Sequence, residues 1–127
     1  MKKIQVSTNE APKAAGPYSQ GITAGDLVFV SGMIPVDKAG VLVTGGIKEQ
    51  IKQVMENLSA VLNAAGSSLD NVLKTTIYLN DMNNFATVNE MYGKYYKTPY
   101  PAGSCVEVSR LPKDVLIEIE AVAVKNA

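Results

Sequence analysis

Apolar residues in the middle of the chain recur at helical spacing. Ile47, Ile51, Val54, Leu58, Val61, Leu62 and Ala65 fall three or four residues apart, the stripe that one face of an α-helix turns toward a core. Lys48, Glu49, Lys52, Gln53 and Glu56 lie mainly on the other side, and Gly66 is placed to end the helix. The pattern predicts a helix over 47–65. A second helix is expected from about Met82 to Tyr96, with Asp81 as its N-cap and Phe85, Val88, Met91, Tyr92 and Tyr95 facing the core. Pro99 and Pro101 then rule out helix or central strand, so a loop follows.

Elsewhere the period is two. Residues 3–8 alternate weakly, Leu27-Val28-Phe29-Val30-Ser31 is a β-rich run closed by Gly32, and Val72 to Leu79 reads as a strand. Gly16-Pro17-Tyr18-Ser19-Gln20-Gly21 is punctuated by glycine and proline, which puts Tyr18 near a turn or strand start. Asp37-Lys38-Ala39-Gly40 has turn composition. Two strands close the chain. In 104–109, Val106 and Val108 oppose Cys105, Glu107 and Ser109; in 115–124, Ile117, Ile119, Ala121 and Ala123 oppose Glu118, Glu120, Val122 and Val124. Leu111-Pro112-Lys113-Asp114 reads as the turn joining them. If Ser109 then faces Val115, Cys105 lies opposite Ile119 and beside Glu118 or Glu120. Strands, helix, strand, helix, strands is an α+β order, with both helices on one sheet face. The other face mixes carboxylates with Val122 and Val124, which suits a subunit contact or a site better than open water.

Composition narrows the class. A length of 127 residues fits a single domain, residues 1–127, and 46% apolar content is far from disorder. No apolar run approaches the ~20 residues of a membrane span. Met1-Lys2-Lys3-Ile4-Gln5-Val6 lacks the apolar core of a secretory signal, so a cytoplasmic protein is expected. Twelve basic and twelve acidic residues cancel, which argues against nucleic acid as a partner. With no histidine and one cysteine, His-based nucleophile systems are excluded, a zinc site lacks ligands, and Cys105 is a free thiol. Proton transfer falls to carboxylates, Tyr, Lys, Cys or water.

Among the candidates, a carboxylate beside Cys105 would raise its pKa, so a thiolate nucleophile is not favoured and a small buried hydrophobe is the plain alternative. Glu118 is either a solvated strand carboxylate or a base orienting water toward a carbon–nitrogen double bond. Tyr18 is a loop aromatic on the core or part of a cleft. Gly103, at a strand entry, reads as a bulge or a close backbone approach.

Five segments together resemble the RidA/YjgF family of imine deaminases: Gly16 to Gly21, Ser31-Gly32-Met33-Ile34-Pro35, Phe85 to Glu90, Ser104 to Asp114, and Ile117 to Ala121. The resemblance covers essentially the whole chain. It implies a chorismate-mutase-like fold, a homotrimer with clefts between subunits, and hydrolysis of 2-imino or enamine acids to 2-keto acids and ammonia, with no metal or organic cofactor. Carried over by position, Glu118 would hold the attacking water, Cys105 would sit beside the amine carbon, and Tyr18 would line the cleft. Ser31, Gly32 and Asn89 would border the small-molecule substrate. Two departures matter. An arginine that holds the substrate carboxylate in the family is Gly103 here, and a frequent glutamine is Met33. The single arginine, Arg110, is seven residues from Gly103 and of opposite parity, roughly 23 Å along an extended strand. The implied activity is therefore weakened or altered in substrate choice. A non-catalytic metabolite-binding role in the same cleft is the alternative.

Overall fold

The computed structural model describes all residues from Met1 to Ala127. Its framework is one mixed sheet. Strands β1 (Lys3–Val6), β2 (Gly21–Ala24), β3 (Leu27–Met33), β4 (Val72–Leu79), β5 (Ala102–Glu107) and β6 (Ile117–Val124) lie in the order β1-β2-β3-β6-β4-β5. All neighbours are antiparallel except β4 and β5, which run parallel. Helices α1 (Ile47–Ala64) and α2 (Phe85–Gly93) complete the α+β architecture.

Helix α1 forms where its stripe predicts. Ile51, Val54, Met55, Leu58, Val61 and Leu62 are fully buried, and removing each from water contributes roughly 1.5–3 kcal/mol. The Glu49 carboxylate accepts the Gly46 amide at 2.9 Å, tying off the first turn. At the other end Gly66 takes φ +78°, and the Ser67 amide returns to the Leu62 carbonyl at 2.9 Å, a left-handed stop. The stripe packs on Ile117, Ile119, Ala121 and Ala123 of β6 and on Val28 and Val30 of β3.

Several expectations change. The first strand stops at Val6, and β2 was not legible in the glycine-rich stretch before it. The second helix begins as a 3₁₀ turn at Met82–Asn84, where Asp81 accepts from the Asn83 amide, and α2 spans only Phe85–Gly93. Phe85 is exposed rather than in the core, and Tyr96 is buried in its place. Gly32 does not end β3; it sits inside the strand, where the pairing with β6 slips by a residue between Val30 and Met33.

The largest correction concerns the last two strands. Residues 111–114 do form a turn, but β5 and β6 are not a hairpin, because β4 lies between them. Cys105 pairs with Ile77, which pairs with Ile119; Val106 pairs with Tyr78, which pairs with Glu118. These rows alternate across the sheet. Cys105 therefore faces the helices and Glu118 faces away, so Cys105 is not beside Glu118 or Glu120 within one chain. The face bearing Glu118 carries no helix. Phe29 there is 43% exposed and Val106 43%.

Candidate functional site

The candidate residues gather in two places. The first is built around the slip in β3. An added Cβ on Gly32 would lie 2.9 Å from Cδ of Glu118 and nearer still to its Oε2. The Glu118 carboxylate thus rests on the bare backbone of Gly32, and only a residue without a side chain leaves it there. Glu118 is half-buried, and burial first, then the neighbouring Glu120 charge, pushes its pKa above the ordinary glutamate value.

Ser31 hangs the preceding loop on β3. Its hydroxyl donates to the Ser19 carbonyl at 2.5 Å, and its amide donates to the Gln20 carbonyl at 3.0 Å. The buried Gln20 amide accepts from the Thr8 amide at 2.7 Å and donates to the Pro12 carbonyl at 2.8 Å. The loop so braced presents Tyr18, 54% exposed, whose hydroxyl accepts from the Ala15 amide at 3.1 Å. A cavity of about 520 Å³ opens here, lined among others by Tyr18, Gly32, Met33, Lys13 and Lys113. Lys113 and Asp114 take φ +56° and +54°, a left-handed conformation that costs roughly 1–2 kcal/mol per non-glycine residue.

The second place is where the edge strand β5 meets α2. A cavity of about 530 Å³ is lined by Gly103, Cys105, Asn89, Phe85, Tyr92 and Tyr100, among others. The Thr75 hydroxyl and the Tyr92 hydroxyl meet at 2.7 Å beneath it. A Cβ on Gly103 would find its nearest neighbours, Oγ1 and O of Thr75, at 3.6 and 3.7 Å. The expected bulge or close approach is therefore absent, and Gly103 leaves open volume. The Cys105 thiol is pushed up by burial, not by a carboxylate. Arg110 is taken by Asp114, Nε to Oδ1 3.1 Å, on an exposed turn.

The structure thus sets Glu118 against Gly32 and puts Tyr18 and Gly32 on the wall of one cavity, which neither Ser31 nor Glu118 lines; Asn89, Gly103 and Cys105 share the other cavity. Sequence reasoning missed Lys13, Lys113 and the aromatic wall of Phe85, Tyr92 and Tyr100. Phe85 and Tyr92 follow from helical spacing once α2 is placed, whereas Tyr100 comes from the loop before β5; nothing in the sequence announces that Lys113 is left-handed. No cluster of three or more His, Cys, Asp or Glu side chains could hold a metal ion, and no helix is long and apolar enough to cross a membrane.

Comparison with known proteins places this geometry. Residues 8–125 match the family described as Endoribonuclease L-PSP. A RutC family protein of Pyrococcus horikoshii is 56% identical over 127 residues, covering 99% of this chain and 100% of that one. The Escherichia coli protein named "Putative reactive intermediate deaminase TdcF" is 45% identical over 130 residues, covering 100% of both. The crystal structure of E. coli TdcF with bound serine superimposes with a TM-score of 0.92, at 42% identity over 97% of this chain and 99% of that one. On these likenesses the chain belongs to the RidA/YjgF/TdcF family.

Proposed function

We propose that the protein hydrolyses reactive 2-imino acids to 2-keto acids and ammonia, in clefts that two chains of a homotrimer build together. The single observation that carries this reading is the Glu118 carboxylate, half-buried against Gly32 with its ionisation disfavoured. A base so placed takes a proton from water as the oxygen attacks the imine carbon. The carbinolamine that results holds the new carbon–oxygen bond and a protonatable amine. Glu118 returns its proton to the nitrogen, the carbon–nitrogen bond breaks, and ammonia leaves as the carbonyl forms and its hydroxyl proton passes back to the Glu118 carboxylate, which then releases it to solvent. Tyr18 covers one wall of the cleft and Ser31 holds the Tyr18 loop.

Assembly is required by this reading because Cys105, Gly103 and Asn89 lie on the other face and edge of the same chain. A neighbouring copy supplies them. The uncovered sheet face, with Phe29 and Val106 exposed, is the surface such a copy would bury. Serine bound to TdcF supports a ligand with the size and polarity of a small amino acid.

Gly103 alters the substrate choice. Without a guanidinium there, two charge-assisted hydrogen bonds are lost, roughly 1.5–3 kcal/mol each, and the space it would occupy is free for a larger group. The same vacancy favours a second reading, a metabolite-binding protein that does not turn its ligand over. RNA cleavage, named in the family description, is disfavoured by zero net charge and the lack of histidine.

The test is direct. Freshly generated 2-iminopropanoate is trapped with semicarbazide in the presence and absence of protein. The wild type is expected to compete with trapping and Glu118→Ala is not; equal rates for the two proteins refute hydrolysis by Glu118. A ligand that raises Tm yet survives incubation intact would establish the second reading.

A further inference from the structure

We propose that Lys13 and Lys113 form the anchor for the ligand's anionic group, on the wall beside Tyr18 and Gly32. The charge distribution points there. The chain is neutral overall, yet the residues lining this cavity include Lys13, Lys38 and Lys113 and no aspartate or glutamate. Lys38 is engaged, its Nζ 3.0 Å from Oε2 of Glu10. The remaining ion pair joins Arg110 to Asp114, so Lys13 and Lys113 have no carboxylate partner. Two uncompensated cations in a concave, partly apolar site attract an anion more strongly than the same charges on a convex surface.

The backbone supports the same assignment for Lys113. Its turn is fixed at both ends by Leu111 and Val115, both buried. The Asp114 amide donates to the Leu111 carbonyl at 3.0 Å, and the Val115 amide to the Pro112 carbonyl at 3.3 Å. Between these anchors Lys113 is held left-handed, a conformation that proteins keep where the surrounding structure over-determines it and that clusters at ligand sites. The buried Met33 gives the cavity an apolar floor, which strengthens a charge contact. The class of ligand is a small carboxylate, such as a 2-imino or 2-keto acid. An ammonium is a point charge and does not impose the planar two-bond geometry of a guanidinium, so this anchor tolerates more than one orientation of the anion.

The identity of the anion rests on the deaminase reading; the anchor itself is tested without it. The probe is 2-oxobutanoate, which the protein cannot hydrolyse, titrated calorimetrically into the full chain. Wild type is expected to bind it, with an affinity that falls as salt rises. The double variant Lys13→Gln/Lys113→Gln is expected to weaken binding about tenfold or more, Lys113→Arg to retain it, and Lys48→Gln/Lys52→Gln, the same charge change on the helix exterior, to leave it unaltered. In hydrolysis the double variant is expected to raise KM with kcat little changed. No binding by wild type, or an unchanged Kd in the double variant, overturns the anchor. Hydrolysis with an unaltered KM in that variant overturns it too and leaves the deaminase standing. Binding that needs both lysines in a protein that hydrolyses nothing supports the anchor and removes the deaminase.

Discussion

The two half-sites of this chain are unlike in almost every respect. One, on β3, β6 and the loop of Tyr18, is polar and charged: Glu118 under burial stress, a bare glycine beneath it, lysines at the rim. The other, on β5 and α2, is aromatic, with a thiol of raised pKa and a vacancy at Gly103. Strand β4 stands between their strands, and their side chains leave the sheet in opposite directions. In the proposed reading the first would activate water and hold an anion; the second is a mostly apolar wall. On the proposed reading neither is a site alone, and the chemistry belongs to an assembly.

Removing the base breaks the first half. Glu118→Gln is expected to lower kcat by about 10²–10⁴-fold, checked by the semicarbazide assay. The same variant is expected to melt slightly higher at neutral pH. The raised pKa means the folded state holds that proton more tightly than the unfolded chain. The stabilisation is present below the unfolded value, near 4.3, and is lost as pH rises through the folded one. A neutral amide removes the loss.

Next comes the division itself. Glu118→Ala and Gly103→Trp, each inactive alone, are expected to recover about a quarter of wild-type activity when co-expressed. If clefts form between randomly assorted chains in a head-to-tail ring, one cleft in four receives both intact halves. No recovery from verified mixed trimers would mean each cleft draws on one chain.

A smaller effect sharpens the second half. Gly103→Arg is expected to raise kcat/KM on 2-iminopropanoate about tenfold and to lower it for imino acids with bulky side chains, read as a ratio of specificity constants. The open volume over Thr75 accepts the new side chain without crowding its Cβ.

The smallest effect concerns pH. On the proposed mechanism the base form of Glu118 is the active one, so the rate is expected to fall as pH drops through its raised pKa. Glu120→Gln removes one cause of that rise and is expected to move the acid limb of the kcat profile to lower pH, a few-fold gain in rate on the acid side alone.

Much of the frame was legible in the chain. The α1 stripe, its stop at Gly66, strand β4 and the two faces of β6 all follow from period and capping, because those signals are local. The neighbour of β5 did not follow. A proline-containing turn between two alternating runs reads as a hairpin, but which strand a run joins depends on contacts far along the chain. Here the stretch from β4 through α2 is long enough to return β5 parallel to β4. The site failed at the same step, since placing Cys105 beside Glu118 assumed the hairpin. Gly32 was misread for a related reason: a glycine in a strand marks either an end or a close approach, and only the position of Glu118 decides between them.

The Gly32 contact also bears on how such a protein could change its role. One methyl group at position 32 would evict the carboxylate from its seat while leaving every reactive atom in the chain. On the proposed reading, an alanine there would carry the chain from turning ligands over toward merely holding them, with no loss of the base itself.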